Sequence, residues 1–233
     1  MRLEASKVRD TIYQLTLRIH DRFPSSGIFD VCGELYSLSK DTEKIVAAIA
    51  RPLFGVRLVA ATLILAFIGA IVFLLLGHPV DEKLSVYSMI GTLESGGNLL
   101  ILIGLAVIFL WSWERRVRRG RVIKNLNRLR EIAHVIDMKQ LTKDPDGLAQ
   151  VSRPTANSPK RRLNAFELGR YLDYCTEMLS LTSKLGYLYV ADFHDTDATD
   201  AANDLETLCT SLARKIWQKI MILRGVQAEK KEA

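Results

Sequence analysis

The chain has 233 residues, 48% of them hydrophobic and 25% charged, with 6 prolines and a formal net charge of +6. That balance is too apolar for a disordered chain, and the length fits one or two domains. Two uncharged runs, 58–77 and 95–113, of 20 and 19 residues, are out of place in an ordinary soluble globule.

The N-terminal residues, MRLEASKVRDTIYQL, lack the apolar core of a cleavable signal peptide, and Glu4 and Asp10 do not suit a mitochondrial presequence. Residues 1–52 read instead as two or three helices preceding the first apolar run. Val8, Ile12, Leu15 and Ile19 recur at the spacing of one helical face. Phe23-Pro24-Ser25-Ser26-Gly27 breaks the pattern, and Ser25 or Ser26 can cap the next helix. Ile28, Cys32, Leu35 and Leu38 continue it, and Asp41 is placed to start a further helix leading to Pro52.

A two-span hairpin is expected over 53–113. Leu58–Gly77 is long enough, at roughly 30 Å of helix, to cross the hydrocarbon core of a bilayer. Ser95–Trp113 is the second run, with its most apolar part at Leu99–Leu110. Trp111 and Trp113 suit an interface, where indole rings collect. Thr62, Ala66 and Ala70 form a stripe of small residues on the first span, a pattern that lets helices approach closely. Neither span carries an ionisable group in its middle turns, which disfavours ion-coupled transport, proton relay and voltage sensing.

The flanks predict an orientation. The intervening loop, 78–94, holds Asp81, Glu82, Lys83 and Glu94, a net of −2. Arg51 and Arg57 precede the first span. After the second come Arg115, Arg116, Arg118, Arg119, Arg121, Lys124, Arg128 and Arg130 against Glu114 alone, so residues 114–130 carry +7 and the rest of the chain −1. The positive-inside rule then puts both termini in the cytoplasm, with Arg57 snorkelling to the headgroups. The expected location is a bacterial inner (plasma) membrane. The basic residues are expected to meet anionic lipid headgroups. The segment has no interleaved aromatic residues for base stacking, so nucleic acid is not an expected partner.

Residues 114–142 continue as a membrane-proximal helix with Val122, Leu126, Leu129, Ala133 and Ile136 on one stripe. Residues 143–162, with Pro145, Pro154 and Pro159, read as an exposed linker. The C-terminal region, 163–233, reads as a helical hairpin. Its first helix, Leu163 to about Val190, aligns Leu168, Leu172, Cys175, Leu179 and Thr182, broadened by Tyr171, Met178 and Leu185. Its second, about Ala201 to Leu223, aligns Leu205, Leu208, Leu212, Ile216, Ile220 and Leu223. No segment alternates with the period of a strand, so the fold class is all-α: two transmembrane helices with a cytoplasmic helical bundle built from both ends of the chain. Residues 1–50 are too few for a core of their own, and the C-terminal helices need cover.

Candidate chemistry is sparse. Asp192, His194, Asp195, Asp197, Asp200 and Asp204 could ligate a divalent cation, but lack the ordered spacing of a calcium loop; Asp197, Thr199 or Asp200 would serve as helix caps. His134 and Asp137 could pair along a helix, yet no nucleophile motif accompanies them. Cys32, Cys175 and Cys209 have no metal-ligand spacing and read as buried reduced thiols. No catalytic residues, metal or cofactor are expected. The plan resembles that of small two-span bacterial proteins, including membrane effectors of phage-defence systems, a likeness of architecture that carries no motif. Two functions stand as expectations: a non-enzymatic protein whose cytoplasmic helices bind a protein partner or self-assemble as a homo-oligomer, or a regulated oligomeric membrane-perturbing effector.

Overall fold

The computed structural model describes residues 2–77, 86–145, 156 and 163–232. Among these are six α-helices and no strand: α1 (Ala5–Arg22), α2 (Gly27–Ala50), α3 (Phe54–Gly77), α4 (Val86–Leu141), α5 (Ala165–Val190) and α6 (Thr196–Glu232). The chain divides into two compact units. One combines Met1–Ala50 with Arg121–Ala233; the other is Arg51–Gly120.

Four helix boundaries in the first unit have a clear local cause. The ring of Pro24 follows the end of α1, and Phe23 N–H closes it on Ile19 O at 2.7 Å. Ser26 Oγ then accepts from Phe29 N–H at 3.4 Å as the cap of α2. α5 opens with a reciprocal capping box: Asn164 Oδ1 accepts from Glu167 N–H at 2.8 Å, and Glu167 Oε2 accepts from Asn164 N–H at 2.9 Å. α6 starts at Thr196, earlier than the apolar stripe suggests, because Asp195 Oδ1 takes the Ala198 N–H at 3.1 Å. The cap is therefore Asp195, not the expected Asp197, Thr199 or Asp200. The expected third N-terminal helix does not exist as a separate element. α2 runs through Asp41 to Ala50, since nothing between Lys40 and Glu43 interrupts the backbone ladder.

The core of this unit joins both ends of the chain. The stripe Val8, Ile12, Leu15, Ile19 of α1 is buried, as are Ile28, Cys32, Leu35 and Leu38 of α2. Val122, Leu126, Leu129, Ala133 and Ile136 of α4 are buried in the same cluster, together with Leu205, Leu212, Ile216, Ile220 and Leu223 of α6. α5 is the central element. Beyond its expected face it also buries Tyr174, Leu181, Leu188 and Tyr189, because α1, α2 and α6 pack on it and α4 reaches it at Leu126 and Lys139. Where α5 meets α6 the backbones come close: a Cβ on Gly186 would stand 2.7 Å from Leu205 Cδ2.

Polar links fix the register of these helices. Arg18 pairs with Glu177 at 2.8 Å, and Tyr174 Oη donates to Arg18 O at 3.4 Å. Arg9 pairs with Glu43 at 3.2 Å, Thr42 Oγ1 lies 3.3 Å from Tyr189 Oη, and Arg2 pairs with Asp192. The last turn of α4 is closed from two sides. Tyr171 Oη donates to Lys139 O at 3.2 Å, and Lys219 Nζ donates to Gln140 O at 3.2 Å and to Lys143 O at 3.4 Å. An ammonium at a helix C-terminus satisfies carbonyls that have no intrahelical donor.

In the second unit, α3 and the first part of α4 hold two stretches long and apolar enough to cross a membrane, with none of either apolar window buried in protein. α4 begins at Val86, inside the stretch that charge alone marks as loop; Val86-Tyr87-Ser88-Met89-Ile90 carries no proline or glycine. Gly96-Gly97 does not interrupt it. Residues 78–85, and most of the expected linker 143–162, lie outside the described residues.

Candidate membrane-proximal site

Between the apolar stretches and the ends of the second unit, the side chains sort into three layers. Leu58, Leu65, Leu102 and Phe109 are exposed apolar groups on α3 and α4. Next come Trp111 and Trp113, both exposed, with the Phe109 ring centred 5.8 Å from that of Trp113. Then the charged groups begin. Arg57, Arg115 and Arg116 are exposed, whereas Arg118 and Arg119 are half-buried; Arg121, which opens the first unit's part of α4, is exposed.

The residue that organises this end of the unit is Glu114, which in the sequence is merely the single acid among eight basic residues. It is 5% exposed. Its Oε1 accepts from the backbone N–H of Leu53 at 3.3 Å, and its Oε2 from Arg57 Nε at 3.4 Å. Arg118, one turn further along α4, approaches Oε1 at 3.8 Å. Leu53 directly precedes α3, so the carboxylate of α4 acts as the missing cap of α3 and sits at the positive end of its dipole. Of the expected interface arginines, Arg57 and Arg118 are thus drawn together on one carboxylate. The exposed Arg115, Arg116 and Arg121 are not part of that clasp. Sequence spacing gave no hint of the clasp, because Leu53 and Glu114 are distant in the chain and the acceptor serves a backbone group.

The small-residue stripe is not engaged within this chain where it is described. Thr62 and Ala66 are exposed, and the Thr62 hydroxyl donates to Leu58 O at 2.9 Å in its own helix. The side chain of Ala70 lies outside the described residues. A Cβ built on Gly69 or Gly104 would meet nothing within 4 Å.

Elsewhere, buried polar groups are mostly used structurally; Gln140 Oε1 is a buried acceptor without a hydrogen-bond partner among the described residues. Among the described residues no three His, Cys, Asp or Glu side chains come together as a metal site would require, so the acidic stretch around His194 does not assemble one. His134 is exposed, and Asp137 accepts from Gln140 Nε2 at 2.7 Å. The three cysteines are free and buried. Burial pushes the Cys32 and Cys209 thiols up to about 11 and that of Cys175 to about 12, so all three stay protonated at neutral pH. Tyr171 and Tyr189 are raised by the same cause. Comparison with family models, with curated proteins and with solved structures finds no match to this chain.

Proposed function

We propose that this chain is a non-enzymatic two-span protein of a bacterial inner membrane, with both termini in the cytoplasm, whose helical bundle binds a protein partner or further copies of itself. The observation that carries the reading is the shared core. Met1–Ala50 precedes both apolar stretches and Arg121–Ala233 follows them, yet they form one compact unit. Ends that fold together must lie on one side of a bilayer, which requires an even number of crossings. The charge asymmetry then selects the cytoplasmic side for those ends, through the positive-inside rule. The arginines at the ends of the spans and the exposed Trp111 and Trp113 fit anionic headgroups and the interfacial belt.

The non-enzymatic part rests on how the bundle uses most of its buried polar groups. Thr42 and Thr182 hydroxyls donate to carbonyls one turn back, Ser39 to Tyr36 O, and Asp195 caps a helix. Self-assembly is favoured by spans whose small residues face open space. Light scattering of the whole protein in mild detergent tests this: a mass of two copies or more is expected, and a monomer would remove the self-assembly part. The second reading, a regulated membrane-perturbing effector, draws on the Glu114 clasp, a charged latch at one end of the hairpin that a conformational change could open. Depolarisation of cells on induced expression, enhanced by Glu114→Ala, favours the effector; unchanged membrane potential favours the scaffold.

A further inference from the structure

α1 and α5 pack in opposite directions, with Arg2 beside Asp192 at one end and Arg22 over Phe166 at the other. Near the second end their seam opens into a cleft of about 470 Å³, lined by Arg18, Asp21 and Arg22 of α1 and by Arg170 and Tyr174 of α5. That volume is in the range of small-molecule sites and exceeds what a single ion needs. The lining carries three guanidiniums against one carboxylate, and the side chain of that carboxylate, Asp21, is 82% exposed, so water screens it.

The guanidiniums are held by groups that leave the opening clear. Glu177 pairs with Arg18 at 2.8 Å and Asp173 with Arg170 at 3.1 Å, yet neither carboxylate lines the cleft. The guanidinium of Arg170 lies over the Tyr174 ring, 4.9 Å from its centroid. That ring is fixed by burial and by its hydroxyl, which donates to Arg18 O at 3.4 Å. Arg22 lies over the Phe166 ring at 5.3 Å and has no ion pair among the described residues. A guanidinium laid on a ring keeps the fork of N–H donors along its edge available.

Folding therefore brings like charges from two helices to one opening, and an oxyanion is the ligand that this donor set suits. A carboxylate is satisfied by one bidentate arginine, whereas a phosphate monoester brings a higher charge and more acceptor oxygens. We propose that this cleft binds a small phosphate monoester, its phosphoryl oxygens taking donors from Arg18, Arg22 and Arg170 and its organic part filling the remaining volume. All the lining residues belong to the first unit, so the site goes beyond the membrane reading and does not depend on it.

The test is phosphorus NMR of phenyl phosphate titrated with the full chain in maltoside detergent and phosphate-free buffer, at about pH 7.5, where the ester is a dianion. Saturable line broadening is expected, reversed by inorganic phosphate. R22Q and R170Q should each weaken binding at least about tenfold, the effect of losing a charge-assisted contact. R22K keeps the charge but not the fork and should lose nearly as much. K184Q, which removes an exposed charge ten residues beyond Tyr174 on α5, should change binding less than about twofold. Arg22 is exposed and unpaired, so R22Q and R22K keep the fold and carry the test even if R170Q does not. No saturable broadening, or equal losses in R22Q and K184Q, overturns the proposal. Wild-type binding by R22K overturns the role of the guanidinium fork. Benzoate competing as well as phenyl phosphate overturns the phosphate assignment. Equal competition by glycerophosphoglycerol, the soluble diester of an anionic lipid headgroup, overturns the monoester.

Discussion

α5 and α3 are both strongly apolar helices of similar length, 26 and 24 residues, yet they solve the problem of apolar surface differently. α5 buries 13 of its residues among its neighbouring helices and still keeps Glu167, Arg170, Asp173, Glu177 and Lys184, because one edge reaches water. α3 has no charge after Arg57, and its apolar window finds no protein cover. A bundle helix with one edge in water keeps charge along that edge, whereas a helix apolar all round belongs in a protein interior or in hydrocarbon. The charge pattern, more than the apolar content, separates α5 from α3.

The largest expected effect breaks the bundle while sparing the spans. Deleting residues 2–22 removes Ile12, Leu15 and Ile19, each fully buried. Each such side chain contributes about 1.5 to 3 kcal/mol, and together they approach the whole stability of a typical domain. Limited proteolysis should then cut within 163–224, while the chain stays in the membrane fraction. Unchanged protease resistance would mean that α1 is not part of the C-terminal core.

Glycines provide a sharper version of the comparison. Gly186→Leu drives a side chain into Leu205, whose Cδ2 already lies 2.7 Å from the built Cβ, and overpacking of this kind costs about 1 to 3 kcal/mol. Gly104→Leu adds a side chain where nothing lies within 4 Å. Thermal unfolding of the bundle should drop for the first variant and hold for the second. Equal shifts would erase the distinction between enclosed and uncovered helices.

Within the hairpin, Glu114→Ala removes the cap of α3, worth about 1 kcal/mol for a helix cap, with the exposed Arg57 adding little. Spin labels at Phe54 and Arg115 should give a broader distance distribution in this variant. Glu114→Gln retains an acceptor for Leu53 N–H and should restore much of the narrow one. Identical distributions in all three proteins would dismiss the clasp.

The smallest effect concerns the thiols. Cys32, Cys175 and Cys209 are raised in the folded state from 9.0 to about 11, 12 and 11. Between these limits the folded state holds more protons than the unfolded state, so stability is present below pH 9 and declines as pH rises from 9 towards about 12. Native protein at pH 8 should react with a thiol reagent only after denaturant is added, and Cys175→Ala should flatten the alkaline decline. Rapid native labelling would contradict the burial of these groups.

Much of the bundle was legible in advance because helical periodicity reports directly on which face is covered. The stripes of α1, α4 and α6 are buried largely as their spacing predicts, Leu208 being half-buried. What periodicity could not reveal was the number of neighbours. Tyr174 and Tyr189 are buried because α5 is central, a property of the assembly rather than of α5 alone. The start of α5 was readable in Asn164-Ala165-Phe166-Glu167, a capping-box pattern, but the apolar Leu163 drew the expected boundary too early. Asp41 was misjudged for the opposite reason: a residue that can cap need not, if the preceding helix has no cause to stop. Glu114 was invisible as a functional group, since its role depends on a backbone N–H brought near by the fold.

The central claim, that two helices cross a membrane and the chain ends fold together on one face of it, is tested most directly by labelling in intact cells with a membrane-impermeant thiol reagent. The buried native cysteines provide a quiet background. Lys83→Cys, between the two apolar stretches, should be labelled from outside, while Lys7→Cys and Lys215→Cys should react only after permeabilisation. Labelling of Lys7→Cys or Lys215→Cys in intact cells, or of Lys83→Cys only in permeabilised ones, would contradict the account.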